Sequence, residues 1–147
     1  MVSTTWAGKH SLTAKTPYKE KIKALKGMTI GVASVGGGAD QLVRLLAKEA
    51  GLNADRDLTL TAMSTGENMI AALKQGRIDG FVFPSPTSEE AIKNHGAQMM
   101  IHTAAGEVPQ LDGFVYIGLV VRKSWVAANP DLTVRLLRAH QRGIDTI

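Results

Sequence analysis

The chain has no cysteine among its 147 residues. Disulfide scaffolds, thiolate zinc sites, iron–sulfur clusters and cysteine nucleophiles are therefore excluded. Long apolar runs are missing as well. The longest, Phe114 to Val121, is broken by Gly118 and falls far short of the ~20 residues that span a bilayer. No positively charged start followed by an apolar stretch opens the chain, so no signal peptide is read. An intracellular protein and a chain that begins after its signal both fit that reading. An excess of one charge sign is missing too. There are 17 basic and 13 acidic residues, a formal +4. With no Lys/Arg run beyond the stretch from Lys15 to Lys26, no nucleic acid partner is indicated, while the mild positive balance permits an anionic ligand.

What is present is ordinary for a globular protein: 44% hydrophobic and 20% charged residues, in a length close to the ~100–150 residues of one domain. Wholesale disorder is excluded on that composition.

Residues up to 17 carry little periodicity. Pro17 to Leu25 reads as a short basic helix with Ile22 and Leu25 on one face, its charges a solvated face, and Gly27 at its end. A regular pattern follows. Met28 to Ser34 reads as a strand with Met28, Ile30 and Val32 on one face. Gly36, Gly37 and Gly38 precede a helix whose apolar face is Leu42, Val43, Leu45, Leu46 and Ala50, stopped by Gly51. Leu58 to Met63 is a second strand. Glu67 to Gln75 is a helix with Ile70 and Leu73 inward, closed by Gly76. Gly80 to Phe83 is a third strand, apolar at consecutive positions, as suits a strand buried on both faces. Ser88 to Asn94 is a helix with Gly96 beyond it, and Gln98 to His102 a fourth strand. Strands alternating with helices predict an α/β fold: an open, mostly parallel sheet with helices on both faces.

Phe114 to Arg122 is expected to form a longer strand. Asn129, Pro130 and Asp131 then look like a helix start, with Asn at the N-cap. That helix carries Leu136, Leu137, Ile144 and Ile147 and reaches the last residue with no stop signal, which is expected of a chain that continues.

The candidate site lies where three strands end. Their exit loops are Ser34 to Asp40, Ser64 to Asn68, and Pro84 to Pro86. Open α/β sheets bind ligands at this edge. Helix N-termini offer free N–H groups and the positive end of the dipole. Glycines let an anion approach the backbone, and Ser34, Ser64, Thr65 and Ser85 add hydroxyls. The plainer reading is a flexible turn and ordinary helix caps. A dinucleotide site is disfavoured, because Gln41 stands where the fingerprint wants Gly or Ala and no acid ends the second strand. A P-loop lacks its Gly-Lys-Ser/Thr. Ser34 sits like a nucleophile elbow, but Val32 occupies the first Gly position of G-x-S-x-G, and nothing places His95 or His102 near it. The four histidines, His10, His95, His102 and His140, lack metal-ligand spacing. Glu89 and Glu90 read as a helix-face pair and Asp79 as a turn cap. No catalytic residue, metal site or cofactor is expected.

Leu25-Lys-Gly-Met-Thr-Ile-Gly-Val32, the Gly-rich turn, Ala50-Gly51-Leu52 with Asp57-Leu58-Thr59-Leu60, Ala71 to Gly80, Val121-Arg122-Lys123 and Asn129-Pro130-Asp131 occur in an order that resembles the type II periplasmic solute-binding proteins. The closest branch serves nitrate, sulfonate, taurine and thiamine-precursor ABC importers. The resemblance covers roughly residues 11–147 and mainly the second of the family's two lobes. It implies an N-terminal segment near the hinge with its basic helix (1–27), a ligand-binding lobe (28–105), and a return strand and helix of the other lobe (106–147). It also implies that Ser34, Gly36, Gly37, Gly38 and Ala39 hold a ligand's anionic end, and that Ser64, Thr65, Gly66 and Ser85 face the ligand. Many relatives have Ser or Thr where Ala39 stands, so one side-chain donor is absent here. The implied function is the substrate-binding component, or a fragment of it, of an ABC importer. The implied ligand is a small organic anion or anionic heterocycle, the implied partner a membrane permease, and the implied location periplasmic. A lone lobe supplies half a cleft, so either weak affinity or a homodimer that completes the cleft is expected. The thiamine-pyrimidine synthase of the same family needs a cysteine-rich motif that is not present. The alternatives are a ligand-sensing effector domain of a transcription regulator, for which no helix-turn-helix is seen, and a small α/β hydrolase using Ser34.

Overall fold

The computed structural model describes residues 2, 3, 8, 10–114 and 118–146. The chain folds as two compact units, Met1–Phe114 and Val115–Ile147.

The first unit is built around strand β2 (Thr29–Val32). It pairs in parallel with β3 (Thr59–Ala62), Thr29 opposite Thr59 through Val32 opposite Ala62, and with β4 (Gly80–Phe81), Ile30 opposite Gly80. A two-residue strand β1 (Val2–Ser3) runs antiparallel between β4 and β5 (Ala97–Gln98), giving the order β3-β2-β4-β1-β5. The expected fourth strand over 98–102 is thus shortened and displaced from β4 by one place. The intruding strand comes from the segment assigned no element, since two residues are too few to show a period.

Helices cover both faces, as expected. On one face lie α1 (Tyr18–Lys23) and α2 (Gly38–Glu49). Ile22, Val43, Leu46 and Ala47 meet Met28, Ile30 and Val32 there in one core. On the other face lie α4 (Gly66–Lys74) and α5 (Thr87–His95), where Met69, Ile70, Leu73 and Ala91 pack around Phe81. A short helix α3 (Ala54–Asp57), capped by Asn53, joins α2 to β3. It was not foreseen, because four residues hold only one turn. The apolar run after Gly80 divides as a doubly covered strand should: Phe81 and Phe83 face the second core and Val82 the first. Gly31 permits this. A Cβ there would lie 3.1 Å from Ile78 Cδ1 and 3.2 Å from Phe81 Cβ.

The charges of α1 are not all solvated. Lys21 is 3% exposed, and its Nζ lies 3.2 Å from Glu107 Oε2. It precedes Leu25 by one helical turn, so its stem shares the buried face. Glu107 also accepts the His102 N–H at 3.2 Å. Burial pushes the Glu107 carboxyl up. The His102 N–H and the Lys21 ammonium together outweigh that, and the carboxyl lies below its ordinary value.

In the second unit, described residues 118–122 form no strand. Residues 115–117 and Ile147, which the expected strand and helix included, lie outside the described residues. An apolar run becomes a strand only beside a partner, and Gly118 to Arg122 pair with none of the described strands. Instead α6 (Lys123–Ala128) leads directly into α7 (Pro130–Ile144). Asn129 stands at the N-cap of α7 with Pro130 behind it, but its side chain makes no cap bond to that helix. Its Nδ2 donates to the Trp125 carbonyl at 2.9 Å, filling an acceptor left open at the end of α6. No described helix is long and apolar enough to cross a membrane.

Two outcomes test this account. Phe81→Ala, at a side chain 0% exposed, is expected to cost about 3–5 kcal/mol in denaturant unfolding. The ionised Glu107 is favoured by folding, so its contribution is present above the unfolded carboxyl's ~4.3 and disappears as pH falls through the lower folded value. Stability measured across that acid range should fall less steeply in Glu107→Gln than in the unaltered protein.

Candidate ligand-binding edge

The ladder that fixes β2 also fixes where three chain segments leave the sheet. Ser64 donates its N–H to the Ala33 carbonyl at 3.2 Å, and Val82 to the Gly31 carbonyl at 3.0 Å. The exits of β3 and β4 therefore flank that of β2.

At the β2 exit, Gly36 has φ +77° and donates its N–H to Asp40 Oδ2 at 3.1 Å. Gly37 donates to the Ser34 carbonyl at 3.2 Å. A Cβ on Gly37 would lie 2.6 Å from Ser34 Oγ, so the serine hydroxyl lies over that glycine. Ser34, Gly36 and Gly38 are exposed and Gly37 is half-buried. The Ala39 methyl packs against the first core, which leaves only its backbone for a ligand. Asp40 is 1% exposed and is paired with Arg44, whose Nε lies 2.8 Å from Oδ2. Arg44 Nη1 reaches Asp55 at 2.8 Å. The hydrogen bonds to Asp40 and then Asp55 hold the guanidinium above its ordinary value. The other oxygen of Asp40 has no hydrogen-bond partner among the described residues.

At the β3 exit, Ser64 is exposed with φ +53°. Thr65 caps α4, its Oγ1 accepting the Asn68 N–H at 3.3 Å. Glu67 folds its carboxylate onto its own backbone N–H and the Thr65 hydroxyl, which holds it below the ordinary glutamate value. Gly66 is buried against Thr87, whose Cγ2 would lie 2.8 Å from an added Cβ. That contact joins the second loop to the third.

At the β4 exit, Ser85 is exposed and its bond to Pro86 is cis. Glu89 accepts its own backbone N–H. It also takes hydrogen bonds from Ser85 and Ser88 and lies near His102; the first of these dominates and keeps its carboxyl low despite desolvation. Ser88 Oγ lies 3.1 Å from Glu89 Oε2.

The nine expected residues therefore gather at one edge, Ala39 by backbone alone. Three carboxylates outside the expected site stand with them, each in the first turn of a helix: Asp40, Glu67 and Glu89, the last read from the sequence only as part of a helix-face pair. The signal was present, since acids favour first turns. Glu90 faces His95, with Oε1 and Nε2 3.8 Å apart. No hydrogen bond between described residues links Ser34 to His95 or His102. Among the described residues no group of three or more His, Asp or Glu could hold a metal ion.

Parallel-strand exits flanked by helix starts, on an open sheet with one antiparallel strand, match a lobe of the periplasmic-binding-protein fold. The NMT1-like family model matches residues 2–146, and the chain belongs to that family. Among solved structures it is similar to the periplasmic aliphatic sulphonate binding protein SsuA from Escherichia coli, with 19% identity and a TM-score of 0.51. The match covers 69% of this chain and 38% of that one. No curated protein matches.

The Gly66–Thr87 contact is testable by a double-mutant cycle. Gly66→Ala should cost about 1–3 kcal/mol of stability. In a Thr87→Ala background, which removes the overlapping Oγ1 and Cγ2, most of that cost should vanish in urea unfolding.

Proposed function

We propose that the chain acts as a ligand-binding lobe of the substrate-binding component of an ABC-type importer. It takes a small organic anion or anionic heterocycle outside the cytoplasm and presents it to a membrane permease. Binding makes no covalent bond; it uses backbone N–H groups and hydroxyls. The observation that carries this reading is the convergence of the three strand exits, with exposed Ser34, Gly36, Gly38, Ser64, Thr65 and Ser85 on one edge. Membership of the NMT1-like family and the fold shared with a sulphonate-binding protein support it.

The anionic end belongs at the start of α2. Its first-turn N–H groups lack intrahelical partners, and Arg44 offsets the one carboxylate beneath them. Ser64, Thr65 and Ser85 then face the rest of the ligand. The expected homodimer would bring a second such edge opposite the first.

Ethanesulfonate titrated into labelled protein should move the backbone amides of residues 36–40 more than any others. Gly37→Val, which displaces the Ser34 hydroxyl, should weaken that binding about tenfold or more, the loss of one charge-assisted contact, with the remaining spectrum unchanged. Shifts spread evenly over the surface, or unchanged affinity in Gly37→Val, would remove the site.

A further inference from the structure

A cavity of about 250 Å³ lies on the first-core side of the sheet. Met28, Leu42, Val43, Leu46, Met99 and Met100 form its walls. Of the nine residues at the strand-exit edge, only Ser85 touches it. It is therefore a different space from the edge proposed for the anion. Its mouth is polar, with Ser88, Glu89, His102 and Thr103.

We propose that this cavity is a second binding site, for a compact apolar molecule carrying a protonated amine, with the amine at Glu89. Three features of the cavity select that class. An apolar void of about 150 Å³ takes a benzene molecule, so the present volume holds one ring with a short arm. Methionine side chains are soft and adaptable, and their sulfurs favour contact with ring edges. Glu89 supplies the charge. It is exposed on its solvent side and takes its hydrogen bonds from neutral groups, Ser88 Oγ among them. None of the salt bridges between described residues reaches it. Ser88 is itself 7% exposed and fixed to that carboxylate, so the mouth is held rather than loose. A carboxylate held in none of these salt bridges, with only the His102 imidazole near it, attracts a cation and repels an anion at the rim of an apolar hole. The same rim rejects the anionic ligand proposed for the strand-exit edge, so the two sites differ in the sign they accept.

The probe is benzylamine, read by the methyl signals of protein labelled with [methyl-13C]methionine. Met28, Met99 and Met100 line the cavity, while Met63 and Met69 do not. The first three signals should shift saturably, and the last two should hold their positions. Benzyl alcohol, the same size without the charge, should bind about threefold to tenfold more weakly, as expected for loss of one charge-assisted contact. Glu89→Gln should bring the amine to the affinity of the alcohol. If that variant does not fold, the comparison of amine with alcohol on the unaltered protein decides alone. Equal binding of the two, an absence of shifts at the three methionines, or equal shifts at Met63 would each overturn the proposal. Ethanesulfonate is read at the amides of residues 36–40, so failure of one site is distinguishable from failure of the other.

Discussion

Everything at the candidate edge depends on strand β2 being buried on both faces. Ile30 and Val32 are 3% and 0% exposed and belong to one core, while Gly31 faces the other with no room for a methyl group. The strand is therefore a partition between two hydrophobic cores. Its start is tied as well: Thr29 donates to Asp79 Oδ2 at 2.8 Å and accepts the Asp79 N–H at 2.8 Å. Asp79 is thus a fastening between β2 and β4, close to the turn-cap role its position implied. A strand held this firmly sends its neighbours' loops to fixed places, which is what a site assembled from three separate segments needs.

Elements with both a period and a stop were legible in the sequence. Helices α2 and α4 show apolar positions three and four apart, and these two and α5 are followed by Gly51, Gly76 and Gly96, all with positive φ. Strands β2 and β3 show apolar patterns, and the run around β4 showed burial on two faces. What escaped lacked one of these signals. Strand β1 is too short to carry a period, and α3 has one turn. The segment from Phe114 had apolar character but, over its described part, no neighbour to pair with. Burial of Lys21 depended on Glu107, a residue 86 positions away, and no local pattern announces a partner at that distance.

The site was legible as a set of loops and not as an electrostatic surface. The glycines and hydroxyls mark the chain's turns. The direction of a first-turn carboxylate is a matter of loop geometry, and at the β2 exit it is set by the left-handed Gly36, which aims its N–H at Asp40. Reading helix N-termini as open positive poles overlooked this local occupancy.

That occupancy makes the three helix starts unequal. At α4 and α5 the carboxylates of Glu67 and Glu89 lie over their own first-turn N–H groups and cancel the positive pole that an anion would seek. None of the salt bridges between described residues offsets either charge. At α2 the carboxylate belongs to the most buried polar residue among those described, Asp40, and a guanidinium sits on it at 2.8 Å. Asp55, at the far side of that guanidinium, has a side chain 77% exposed, and its charge is screened by solvent and salt. The pole of α2 therefore survives while the other two are spent on residues of the chain itself. Under the proposed function, an anion approaching the edge would meet repulsion on two sides and attraction at the third. The geometry brings three loops together, but the charges make them unequal, and the proposed reading accordingly puts backbone capture at α2 and hydroxyl contact without an anion at α4 and α5.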